Sequence, residues 1–273
     1  MQFAAVLMAA ATQGGARDPS LAAYLAAAVA NGGAPTPAYA AAASQFISAE
    51  KAAGLWDLTD DYLPLWAPDA ATALTSLKQL RLATVTASPT FTADRGYAFN
   101  GTTQFINTGF VPSTHAVTMT LNSTHAEVYE RTNVSSTASS LGANSGSNRA
   151  IVVFPRDAST VLVAANGVGG VYTLSPLTSA GLTQFGRNGA TTADVYGAKN
   201  GVNLTQTSPL TALGASLPSN SFYVGGVNLS GSLFQARAAS VGYVAWGASL
   251  TSAQRLARYT NVQAFATAVG AQV

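Results

Sequence analysis

Residues 91–110, FTADRGYAFNGTTQFINTGF, alternate short apolar stretches with turn residues, and residues 241–259, VGYVAWGASLTSAQRLARY, run from one longer strand pattern into a helix start. In the first, Phe91, Tyr97, Phe99, Phe105, Ile106 and Phe110 are separated by Asp94-Arg95-Gly96, Asn100-Gly101 and Asn107-Thr108-Gly109. Asn, Asp and Gly in these places supply the backbone reversals that tight turns need. In the second, Thr251 and Gln254 have the spacing of a capping box, in which each side chain caps the other's backbone N–H. Closely spaced strands followed by one terminal helix are therefore expected.

Working outward, alternating runs occur at 116–121, 126–131, 150–154, 161–164, 171–174, 191–196, 201–204, 222–227 and 240–246. Turn clusters rich in Gly, Asn and Ser separate them, as at 142–148, 166–170 and 228–231. Many short strands with no helix between them point to a mainly β chain, an antiparallel two-sheet jelly roll. Before Leu80 the pattern is helical. Asp18-Pro19 is a helix start and Asn31-Gly32-Gly33 a stop, giving a helix over 19–30. Thr36-Pro37 repeats the start signal, and Tyr39, Ala43, Phe46 and Ile47 follow 3–4 spacing until Gly54. Asp69 opens a further short helix. These signals divide the chain into a helical N-terminal region, 1–80, and a jelly roll with a C-terminal helix, 81–273. Leu256, Tyr259, Val262 and Ala266 form the stripe by which that last helix is expected to dock.

Composition narrows the function. Only 9% of the residues are charged, and the net charge of +2 comes from scattered basic residues. No basic groove for nucleic acid is implied. Cysteine is absent, which excludes disulfide and thiolate chemistry. Residues 1–11, MQFAAVLMAAA, are apolar but lack a basic flank, since the first positive residue is Arg17. The segment thus reads as retained, and at about half the length of a membrane span it implies no membrane insertion. Phe3 and Leu7, with Leu21, Tyr24 and Leu25 of the first helix, would supply apolar surface for assembly with sister subunits. Segments this short are not stable as isolated helices.

Residues 45–270 resemble phage and prophage virion structural proteins that carry a concanavalin A-like (laminin G-type) jelly roll. The resemblance is carried by Gly54-Leu55-Trp56-Asp57-Leu58-Thr59-Asp60-Asp61-Tyr62 in the helical lead-in, then by Phe91-Thr92-Ala93-Asp94-Arg95-Gly96-Tyr97 and Phe105-Ile106-Asn107-Thr108-Gly109-Phe110. It implies a location on the virion, as a fibre, spike or decoration component contacting other virion proteins. Sister subunits, a trimer by analogy with viral fibres, and a host surface glycan as ligand are implied with it. A carbohydrate-active enzyme and a free secreted lectin are the alternative functions.

The chemistry visible in the residues is sparse. His115 and His125 have no metal-ligand or triad context, and neither G-x-S-x-G nor H-E-x-x-H occurs. Glycoside hydrolysis uses two carboxylates across a groove. Within 96–273 the acids are Glu127, Glu130, Asp157 and Asp194, and a strand turns Glu127 and Glu130 to opposite faces. The expectation is a protein that is not an enzyme and has no cofactor or metal. Asp57, Asp60 and Asp61 read as helix caps and turn residues rather than calcium ligands. Tyr97, Tyr129, Tyr172, Tyr196, Tyr223 and Trp246 all stand on strand patterns, where aromatics either pack or stack on sugars. Tyr97, Tyr129 and Trp246, with Arg131 and Asn133, form the expected glycan-binding set. The Asn- and Ser-rich loop at 142–149 suits polar ligand contacts or plain turns.

Overall fold

The computed structural model describes residues 18–273. Two sheets pack face to face, and a helical layer covers one of them. The first sheet runs, in spatial order, Val202–Asn203, Val195–Lys199, Gly181–Arg187, Thr124–Glu130, Ser240–Gly247, Gly96–Ala98 and Thr90–Thr92. Thr59–Leu63 also pairs antiparallel with Ser240–Gly247. The second runs Thr205–Ser208, Gly170–Thr173, Thr160–Ala165, Ala150–Asp157, Leu141–Asn144, Tyr223–Val224, Phe105–Asn107 and Thr84–Thr86. Neighbours along both orders are antiparallel; Val227–Leu229 adds one parallel pairing to Leu141–Asn144. This is the expected jelly-roll architecture.

Between the sheets, Leu141, Ala143, Ile151, Val153, Val161, Val163 and Ala165 from the second face Ala126, Val128, Phe185, Val244 and Trp246 from the first. All are at most 2% exposed. Period-two alternation puts these residues on one face, and burying each large aliphatic among them contributes roughly 1.5–3 kcal/mol.

Five helices occur among the described residues. They are α1 (Pro19–Ala30), α2 (Pro37–Ala52), α3 (Ala70–Leu74), α4 (Pro112–His115) and α5 (Ser252–Ala268). Their starts follow the sequence signals: Asp18 caps Ser20, Thr36 caps Tyr39, and Thr251 with Gln254 completes a capping box.

Three expectations are corrected here. Leu21, Tyr24 and Leu25 are buried in the chain's own core, 2% exposed or less, with the Tyr24 hydroxyl 2.8 Å from that of Tyr39 on α2. Their apolar surface is therefore taken up by the fold rather than left for sister subunits; Phe3 and Leu7 lie outside the described residues. The stretch 116–121 is not a strand of either sheet. Its amides at Val117, Thr118 and Met119 donate instead to the Asp60 carboxylate, at 2.6–3.0 Å. On α5 the buried residues are Arg255, Arg258, Val262, Phe265 and Ala266, while Leu256 is 53% exposed.

Candidate glycan-binding surface

The first sheet's outer face is closed by α2 and α5. Glu127 projects from Thr124–Glu130 toward α5, where Arg258 pairs with it at 2.5 Å and with Glu50 of α2 at 2.8 Å. All three side chains are fully buried. Tyr243 donates to Glu127 and Tyr62 to Glu50, both at 2.9 Å, and the Asn261 amide donates to Glu50 at 2.9 Å. Burial pushes both carboxyls up. At Glu127 the Arg258 charge and hydrogen bonds outweigh it, holding that carboxyl below its ordinary range. At Glu50 burial prevails over Arg258 and Asn261, and the carboxyl is raised. The two acids lie together around one guanidinium, shielded from solvent, and fasten the helical layer to the sheet.

Asp60 and Asp61 act similarly. They sit in the strand Thr59–Leu63, not in helix caps, and accept backbone N–H groups from residues 117–119 and from Tyr62, Lys78 and Gln79. His125 is buried, its Nδ1 against the Ala248 carbonyl oxygen, and burial pushes it down to about 4.

The expected glycan-binding set does not come together. Tyr97, Tyr129 and Trp246 are 3%, 0% and 1% exposed and pack in the core. Tyr129 and Trp246 stand on strands buried on both faces, by the second sheet on one and by helices on the other, whereas Tyr97 lies on Gly96–Ala98, whose Ala98 is exposed, and packs against Phe91 with ring centroids 5.0 Å apart. Arg131 is half-buried and donates from Nε to the Ala271 carbonyl at 2.8 Å. Asn133 is exposed, but its Oδ1 already accepts from Arg156 at 2.9 Å and from the Ser179 amide at 3.0 Å. It ties loops together at one end of the sandwich.

The outer face of the second sheet carries none of the helical layer, although Tyr223, at 6% exposed, Val152 and Asn228 on it are buried and Phe105 is half-buried. There Phe105 stacks on Tyr223, ring centroids 4.2 Å apart and planes 24° from parallel. Tyr223 pairs with Asn107 on one side and Gly142 on the other, which puts Phe105, Asn107 and Tyr223 on one face. Burial raises the Tyr223 phenol, so it remains a neutral donor, to the Gly231 carbonyl at 3.3 Å. A continuous row of amides and hydroxyls adjoins the rings. Ser221 donates to Asn107 Oδ1 at 2.7 Å, and Asn228 donates to the Ser221 carbonyl at 2.9 Å. Asn220 donates to the carbonyls of Asn228, at 2.6 Å, and Asn144, at 3.1 Å, while its own Oδ1 has no partner. The Ser145 hydroxyl accepts from the Ser219 amide at 3.1 Å.

Local sequence builds this patch. The two-residue turn Ser230-Gly231 has φ of 50° and 96°, a reversal that suits hairpin twist and needs glycine. Asn144 Oδ1 accepts the Gly146 N–H at 3.0 Å and starts the tight loop that returns at Arg149. Phe105, Asn107, Asn220 and Ser221 were absent from the expected set. The signal for them was present in Ser219-Asn220-Ser221 and in the turn at 228–231, where short amides flank an aromatic strand. An aromatic face beside groups that both donate and accept is complementary to a sugar ring and its hydroxyls.

No protein-family model and no curated protein matches the chain. Among solved structures it is similar to domain 4 of an extracellular arabinanase from Geobacillus stearothermophilus, at 12% identity and a TM-score of 0.42, covering 73% of this chain and 97% of that domain. It is also similar to Trypanosoma rangeli sialidase, at 14% identity and a TM-score of 0.49, covering 73% of this chain. A mutant of that sialidase displaying trans-sialidase activity matches at 13% identity and a TM-score of 0.43 over 81% of this chain. The chain spans only 32% and 39% of those two sialidase chains. Likeness at this identity concerns the fold. One expectation is corrected: the solved structures that the chain resembles come from glycoside hydrolases and sialidases, so its exclusion from enzymes, drawn from Glu127 and Glu130 on opposite faces of a strand, is withdrawn.

Proposed function

We propose that the chain is a lectin-like, glycan-binding module whose ligand lies on the Phe105–Tyr223 pair and the adjoining amides. The observation that carries the reading is this conjunction on the second sheet's outer face, while the first sheet's outer face is closed by helices. A sugar ring presents an apolar face and a rim of hydroxyls, and the patch offers the matching pair of surfaces. Display on a phage or phage-like particle, alongside other virion proteins, is part of the proposal. It is supported by the resemblance of the lead-in and strand-entry motifs and by the low surface charge.

The test is a glycan array followed by calorimetric titration of the best binder. Phe105→Ala removes the half-buried ring that lies over Tyr223 and is expected to weaken binding by about tenfold or more, in line with roughly 1–1.5 kcal/mol for an aromatic contact. Asn133→Ala is expected to leave affinity unchanged. No binder on the array, or equal affinity for Phe105→Ala and the parent, would remove the reading. For the particle, mass spectrometry of purified phage-like particles is expected to find the chain, and its absence would remove that part.

A further inference from the structure

The patch carries one charge. Residues 105–110, 142–149 and 219–231, which build it, contain no Asp, Glu or Lys, and Arg149 is their single charged residue. Arg149 is half-buried at the edge of the amide row. Its Nε donates to the Gly146 carbonyl at 3.3 Å and its Nη2 to the Ser145 carbonyl at 2.9 Å. Ser145 is the residue whose hydroxyl joins the row through Ser219. Among the described residues no carboxylate lies within ion-pair distance of Arg149. Two fully buried guanidinium groups are matched by carboxylates, Arg258 by two and Arg237 by Glu130 at 2.7 Å, whereas buried Arg187 and Arg255 are held, as Arg149 is, by uncharged oxygens.

Two carbonyls orient a guanidinium without pairing it with a countercharge. Its remaining donors suit an anion in the plane of the fork. We infer that this site selects acidic glycans, those bearing a carboxylate or a sulfate, and that Arg149 is the residue that reads the anionic group while Phe105 and the amides hold the ring. The inference rests on the glycan-binding reading of the same patch. A charge-assisted hydrogen bond discriminates more strongly than a neutral one, so an acidic ligand should outbind its neutral counterpart by about tenfold or more.

The experiment uses the full chain and ligand pairs that differ only in charge. These are oligogalacturonate and its methyl ester, and hyaluronan oligomers before and after carboxyl reduction, supplemented by sulfated and desulfated forms of one galactan oligomer. Calorimetry is run on the parent, on Arg149→Gln and on Phe105→Ala. In at least one pair the acidic member is expected to bind about tenfold tighter, and added salt should weaken that member alone. Arg149→Gln should erase the difference while keeping the neutral affinity; Phe105→Ala should weaken both members. If acidic and neutral members bind equally, or if Arg149→Gln keeps the preference, Arg149 selectivity is overturned and the glycan site stands. If neither class binds, the site itself is overturned.

Discussion

Replacing Arg258 by Met tests what holds the helical layer on the sandwich. In the parent protein one guanidinium spans Glu127 on the first sheet and Glu50 on α2, and its Nη2 donates to Thr59 at 2.6 Å. Met fills most of the same space, so the cavity contribution is small. What remains is two carboxyls enclosed without a countercharge, with only Tyr62, Tyr243, Gln184 and Asn261 as neutral donors. Breaking a buried ion pair by removing one partner costs about 3–5 kcal/mol. For a chain of this size about 4 kcal/mol corresponds to a fall in Tm of about 10 °C. The pH dependence gives a second reading. Without Arg258 the folded-state pKa values of Glu50 and Glu127 rise above their unfolded values. The stability they contribute is then present at low pH and lost as pH rises through the folded pKa, so the deficit should be largest at pH 8 and narrow toward pH 5. Urea denaturation at both pH values, followed by far-UV circular dichroism, measures it. Adding Glu50→Gln and Glu127→Gln to Arg258→Met should recover more than half the loss, because neutral amides tolerate enclosure. A loss below about 1 kcal/mol at pH 8, or no recovery in the triple variant, would refute the electrostatic reasoning.

Two further outcomes follow from particular residues. His125, pushed down to about 4 by burial and by Arg258, should remain neutral in the folded protein through pH 5. Its folded pKa lies below the unfolded value, so its contribution is complete above about pH 6.5 and falls by up to about 3 kcal/mol as pH drops toward 4. Asp61, raised by burial to about 6, works in the opposite sense over roughly pH 3.8 to 6. An NMR titration of the imidazole separates the two, and a His125 midpoint near 6.5 would contradict the enclosure. Gly96 has φ of +97°, and a Cβ there would stand 2.2 Å from the Val241 carbonyl oxygen. Gly96→Ala should therefore cost at least about 2 kcal/mol in chemical denaturation, through backbone strain and the clash together; an unchanged midpoint would refute it.

The fold was legible where local chemistry decides. Pro19, Pro37 and the Thr251–Gln254 box mark helix starts that no tertiary contact overrides, and the alternating runs at 150–154, 161–164 and 240–246 are strands with one face on a continuous core. The strand Gly181–Arg187, GLTQFGR, was not legible. Its helix-facing side carries Leu182, Gln184 and Gly186 and its inner side Thr183, Phe185 and Arg187, so neither face alternates cleanly. On α5, Val262 and Ala266 are buried as expected, but Leu256 is exposed and Arg255 and Arg258 were missed, because they are buried by partners far away in sequence, whereas pattern reading assigns charges to solvent. The boundary at residue 80 was drawn from a change of period, yet Thr59–Leu63 adds a strand to the first sheet and the helices share its core. Binding residues were harder still. Strand aromatics look alike in sequence, and only the sheet assignment tells Tyr223, buried beneath Phe105 on the face without helices, from Tyr129 under the helical layer and Trp246 between the sheets.

Glycan binding at the second sheet's outer face is tested most directly by mapping the bound ligand. Backbone amide chemical shifts of the isotope-labelled full chain are followed while the tightest array ligand is titrated to saturation. Perturbations concentrated in residues 105–109, 142–149 and 219–231 are expected, with the indole signals of Trp66 and Trp246 unmoved. Perturbations centred instead on the loop end around Asn133, or on the helical face over α2 and α5, would contradict the assignment.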